Sequence, residues 1–266
     1  MDSKNERLEA VGRAIQEGGP EDIIAREVKY PPIDPEKVLE IANDTLADQS
    51  FDSLSLEAMF VHGSRLKNCS FRDISVRHSA SLGGGKKHST FQDCVFDGSK
   101  FTDLALGRAR FIGCSFRDVR ILELRSSATD LIDCIFTGEI RKAVINGAAD
   151  ERKWWRRQNR IRGNDFSGAR LVHTAFRRGV DLSRQNLPLD ESHFVVADLA
   201  TAIPSARSAI QSWTEEEHKR LASILLDSMA HDLAHGQRQH WFEVPDSGEF
   251  RAPALKLKDL LHQMSN

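Results

Sequence analysis

The chain has 266 residues, 40% of them hydrophobic, enough to bury the core of one large domain or two small ones. Its four cysteines are too few and too regularly placed for a secreted disulfide scaffold, and no apolar run approaches the roughly 18 residues of a membrane span. Net charge is −2, but it is unevenly spread: −6 over residues 1–50, +2 over 51–136, +7 over 137–187 and −5 over 188–266. The N-terminus is polar and lacks the apolar stretch of a signal peptide, so the expectation is a soluble, cytoplasmic protein with reduced thiols.

Residues 1–49 read as an acidic helical N-terminal cap. Leu8, Val11 and Ile15 share one helical face before Gly18-Gly19-Pro20. Asp34-Pro35-Glu36 is a helix start, and Val38, Leu39, Ile41, Ala42 and Leu46 follow at helical spacing.

From residue 50 to 137 the period changes to five. Phe51, Leu56, Val61, Leu66, Phe71 and Val76 are all apolar, and so are Phe91, Phe96, Phe101, Leu106, Phe111, Phe116, Ile121, Leu131 and Phe136, with Ser126 the one polar interruption. Fifteen apolar residues in sixteen positions has a chance probability on the order of 10⁻⁵. Ten of the fourteen Phe residues lie in this register, once Phe166 and Phe176 are counted. All four cysteines, Cys69, Cys94, Cys114 and Cys134, sit two positions before a register residue. A chain that turns a corner every five residues explains this: one large side chain and one small one point inward, and the other three face out. Four such pentads make a turn of twenty residues. Cys94, Cys114 and Cys134 then stack, as do Phe96, Phe116 and Phe136. Phe71, Phe91, Phe101 and Phe111 are expected in the same interior ladders. Cys69 precedes Cys94 by 25, so one pentad is looped out, and Ser81–His88 with its three glycines is the place for it.

The tandem pattern small–x–Phe–x–x, as in CSFRD and CVFDG, resembles that of the pentapeptide-repeat proteins. The resemblance covers residues 50–137 and 164–182. It implies a β solenoid, a right-handed quadrilateral β-helix, here with α-helical N- and C-terminal caps. Some members of that family imitate the charge of duplex DNA and bind bacterial topoisomerases. That role needs an acidic rod, and the net +9 of residues 51–187 speaks against it.

Residues 138–163 are expected to leave the coil, because the register there holds Arg141, Asn146, Glu151 and Arg156. Within this insertion Trp154 and Trp155 are interleaved with Arg156, Arg157, Arg160 and Arg162, a composition suited to phosphates and stacked bases or to an acidic protein surface. The bland alternative is a solvated helix with one Trp packed on the coil. Residues 164–187 return as a final coil.

Residues 188–266 read as helical. Thr214-Glu215-Glu216-Glu217 is a capping box, Leu221 to Leu233 follow at helical spacing, and Gly236 closes the helix. A last short helix carries Leu255, Leu257, Leu260 and Leu261, which suit either packing or a homodimer contact. His231 and His235 lie four apart beside Asp232, with His240 beyond. The motif lacks the glutamate of zinc proteases, so no metal site is assigned.

The resulting expectation is a non-catalytic binding or scaffold module of bacterial type. It holds a protein partner through its coil walls and helical ends, and needs no cofactor, metal or membrane. A nucleic-acid contact through 151–162 is the alternative.

Overall fold

The computed structural model describes residues 34–149 and 158–264. Its dominant feature is parallel pairing between segments about twenty residues apart. Phe91 lies opposite Phe111, Phe116 opposite Phe136 and Leu46 opposite Leu66. Because side chains alternate across a strand, each such pairing places large residues over one another on the inner face. Phe51, Phe71, Phe96, Phe116, Phe136 and Phe166 form one continuous stack, with centroid spacings of 4.7–5.0 Å and rings within 8° of parallel. Phe91 and Phe111 stack at 4.6 Å beside it. Phe101 is buried too, as are Cys69, Cys94, Cys114 and Cys134, all free thiols.

The strands are gathered into two parallel sheets. One has eleven strands; the other has six, in the order Ile161–Arg162, Asp130–Ile132, Ala109–Ile112, Ser89–Gln92, Arg65–Lys67, Thr45–Ala47. This arrangement overturns the expected β solenoid, the quadrilateral β-helix with four separate walls. The physical reason lies in long strands that keep their hydrogen bonds where the five-residue pattern places a corner. Ser75–Gly84 pairs with both Lys100–Phe101 and Leu104–Ala105 and so joins two arms into one sheet. Ser115–Ile121 crosses such a position through a bulge. In content the chain is of α/β type, mostly parallel sheet with helices. Its parallel strands are nevertheless connected by turns, and its three described α-helices all follow residue 198.

The helix expected from Asp34 is corrected as well. Asp34 Oδ1 accepts the Glu36 amide at 3.1 Å, but only a single 3₁₀ turn, Pro35–Lys37, results. Val38–Ala42 is a strand paired in parallel with Ala58–His62. Leu39 and Ile41 fit either period, and pairing with Met59 and Val61 satisfies their backbone in the extended form. Residues 1–33 of the expected cap lie outside the described residues.

Residues 138–146 do not leave the sheet. Ile135–Arg141 and Ala143–Asn146 pair with Asp165–Val172 and Ala175–Arg177. The cause is a one-residue slip at Gly138, which lies opposite Val119 while Ile140 lies opposite Ile121. Ile140 and Ile145, not Arg141 and Asn146, thereby take the buried positions. Gly138 has φ +91°, and a Cβ there would meet the Val119 carbonyl oxygen at 2.3 Å, so the bulge requires glycine.

On the outer surface a repeated bond set ties successive strands together. Asp52 Oδ1 accepts from Ser70 Oγ and the Arg72 amide at 2.6 and 2.7 Å, and Asp97 Oδ1 from Ser115 Oγ and the Arg117 amide at 2.5 and 2.8 Å. Asp97→Ala removes both of the latter bonds and is expected to lower stability by about 1–2 kcal/mol. A denaturant titration checks it; an unchanged midpoint would show that water replaces the carboxylate at no cost.

The C-terminal region has its own core, built by α1 (Leu199–Ile210), α2 (Glu216–Ala234) and α3 (Arg251–Met264). The expected capping box is not formed: Glu215 is the N-cap and makes no side-chain capping bond, while Thr214 Oγ1 donates to Glu215 Oε2. An antiparallel pair, His193–Val196 with His240–Glu243, joins this core to the sheets. Strand alternation sends Trp241 into the sheet core and Phe242 into the helical one. Gln237, fully buried, secures the junction by accepting from the Gly179 and Val180 amides and donating to the Val180 carbonyl.

Candidate protein-interaction surface

The outer face of the six-stranded sheet carries two columns of side chains. Thr45, Arg65, Thr90, Arg110 and Asp130 follow one another in register, and so do Ala47, Lys67, Gln92, Ile112, Ile132 and Arg162. They flank the inward residues Leu66, Phe91, Phe111, Leu131 and Ile161, so the same alternation that fills the core aligns these columns outside. Neighbouring positions are about 4.8 Å apart.

Arg160 and Arg162 both reach this face, and their environments differ. Asp130 Oδ2 accepts from Arg110 Nε at 3.1 Å and from Arg160 Nε and Nη2 at 3.1 and 3.0 Å, while Oδ1 accepts the Arg160 amide at 2.8 Å. Burial pushes the Asp130 carboxyl up. The bonds from the Arg160 amide, the Arg160 side chain and Arg110 outweigh it and hold the group below its ordinary value. Arg160 is therefore occupied in a clamp that fastens Ile161–Arg162 to Asp130–Ile132. Arg162, Arg65 and Lys67 are exposed and make no ion pair among the described residues. Trp154, Trp155, Arg156 and Arg157 lie outside the described residues.

Beside the Lys67–Arg162 column run Asp48, Asp93 and Asp133, each exposed and each at a turn with φ 54°. The face thus carries exposed charges of both signs, Arg65, Lys67 and Arg162 with Asp48, Asp93 and Asp133. Sequence reasoning singled out only the basic insertion and missed Arg65, Lys67 and the aspartate row. Their signal was present: they sit at fixed offsets from the five-residue register.

The remaining candidates are structural. Cys114 Sγ lies 3.4 Å from the Phe91 carbonyl, and burial pushes its thiol well up, so it packs as a small apolar group. His231 and His235 have ring centroids 4.2 Å apart, and His235 Nδ1 lies 2.8 Å from the His231 carbonyl. Asp232 turns the other way, 3.1 Å from Arg177 Nε and 3.8 Å from His240 Nδ1. Among the described residues no group of three His, Cys, Asp or Glu side chains is placed to hold a metal ion. Ile224 on α2 and Leu255 on α3 are partly exposed. No described helix is long and apolar enough to cross a membrane. Compared with known proteins, the chain matches no family model and no curated protein.

Proposed function

We propose that the protein is a non-catalytic binding module that holds a protein partner on the outer face of its six-stranded sheet. The observation that carries this reading is a face on which three cations, Arg65, Lys67 and Arg162, and three aspartates, Asp48, Asp93 and Asp133, stand exposed at fixed offsets from the buried register. A surface of mixed sign selects a partner of complementary pattern, and like charges brought opposite one another reject others. A polyanion is the weaker fit. The aspartate row repels phosphates, and the two columns hold no aromatic side chain on which a base could stack.

The triple variant Arg65→Glu, Lys67→Glu, Arg162→Glu tests it. These side chains are exposed, so the fold is expected to survive. Tagged wild-type and variant protein are used to capture partners from native extract, with and without nuclease treatment, at roughly 50 and 200 mM salt. The expected result is a protein species retained by the wild type and depleted at least about tenfold by the variant. Equal retention by both, or retention that disappears with nuclease, overturns the reading.

A further inference from the structure

The eleven-stranded sheet presents a second surface on a different face. Ser75, Lys100, Arg120, Glu139 and Arg170 follow one another across five strands. Between the first of these strands lies a groove of about 270 Å³, bordered by Arg77, Lys100, Arg120, Thr102 and Leu122. Leu122 is 37% exposed, an uncovered apolar side chain at the rim of a basic groove.

The charge at this groove is unbalanced, and the reason can be traced residue by residue. Glu139, next in the column after Arg120, is engaged by Arg141 at 2.8 Å and Arg170 at 3.2 Å. Glu123 is engaged by Arg125 and Lys142, and Asp103 by Arg125. Those three carboxylates already have partners, whereas Arg77, Lys100 and Arg120, the charged residues that line the groove, are exposed and make no ion pair among the described residues. Lys100 and Arg120 are direct register partners on adjacent strands, so one carboxylate can accept from both. The volume is below that of pockets built for drug-sized ligands and suits one or two amino-acid side chains.

We propose that this groove docks an acidic segment of a partner protein, with a carboxylate between Lys100 and Arg120 and a neighbouring apolar side chain against Leu122. The proposal shares the view that the protein is a binding module, but it concerns a surface separate from the six-stranded face.

The test uses the full chain and a fluorescein-labelled decapeptide of alternating aspartate and leucine, followed by fluorescence anisotropy. Variants are Lys100→Glu, Arg120→Glu and Leu122→Ser, with folding checked by circular dichroism. The wild type is expected to bind the peptide, Lys100→Glu or Arg120→Glu to weaken it at least about tenfold, and Leu122→Ser to weaken it about threefold. The triple variant on the six-stranded face is expected to bind as the wild type does. Absence of wild-type binding, or groove variants within about twofold of wild type, overturns the proposal. So does equal uptake of a single-stranded oligonucleotide that the same groove variants abolish, which would identify a phosphate-binding surface. Partner capture and peptide docking therefore fail independently.

Discussion

Phe116→Ala is expected to lower stability by about 3–5 kcal/mol, the range for truncating a large buried aromatic side chain. Phe116 is 1% exposed and stacks between Phe96 at 4.7 Å and Phe136 at 4.9 Å, with Phe111 edge-on at 5.9 Å. The loss combines removed apolar area, a cavity that parallel strands on both sides cannot close, and two ring contacts beyond simple burial. Phe116→Leu is expected to recover much of it. Chemical denaturation at neutral pH gives the difference directly. A cost under about 1 kcal/mol would show that the stack contributes little and that the sheets hold themselves by backbone pairing.

Acidification is expected to weaken the junction between the sheets and the helical region. His240 lies there with its side chain 19% exposed, and burial, reinforced by the Arg177 guanidinium, lowers its imidazole to about 4. An unfolded chain titrates histidine near 6.5. Above about pH 6.5 the ring is neutral in both states, and the folded state keeps its full advantage. As the pH falls from about 6.5 to about 4, the unfolded chain takes up a proton that folded His240 refuses, and up to about 3 kcal/mol is lost. Asp232 faces it at 3.8 Å, and burial pushes its carboxyl up. The folded state therefore holds the Asp232 proton more readily, which offsets part of the loss at the acidic end of the window. Melting temperatures compared near pH 7.5 and pH 5 should fall for the wild type and much less for His240→Phe. The same slope in both proteins would place the acid sensitivity elsewhere.

Much of the interior was legible from spacing alone. Phe96, Phe116 and Phe136 are twenty residues apart in the sequence and stacked in space, and Cys94, Cys114 and Cys134 are buried at their own fixed offset. Local chemistry did not reveal how the backbone distributes its hydrogen bonds. The five-residue pattern describes side-chain direction, and a strand such as Ser75–Gly84 can keep that direction while bonding to two neighbours and fusing separate walls into one sheet. At Gly138 the pattern slips by one residue, so Arg141 and Asn146 look misplaced in the sequence although Ile140 and Ile145 fill the core beside them. Val38–Ala42 reads as helix or strand, and only the partner at 58–62 decides.

The candidate surfaces divide in the same way. Arg160 and Arg162 look equivalent in the chain, yet Asp130, thirty residues from Arg160, turns one into a clamp and leaves the other exposed. Arg120 looks no different from Arg125 until the carboxylates around each are known. The sequence by itself determined which side chains are interior, because burial of apolar area follows a period that can be counted. Tertiary structure decided the number of sheets, the pairing of each charge and the faces left open, because those depend on contacts between residues far apart in the chain, whose identity no local spacing contains.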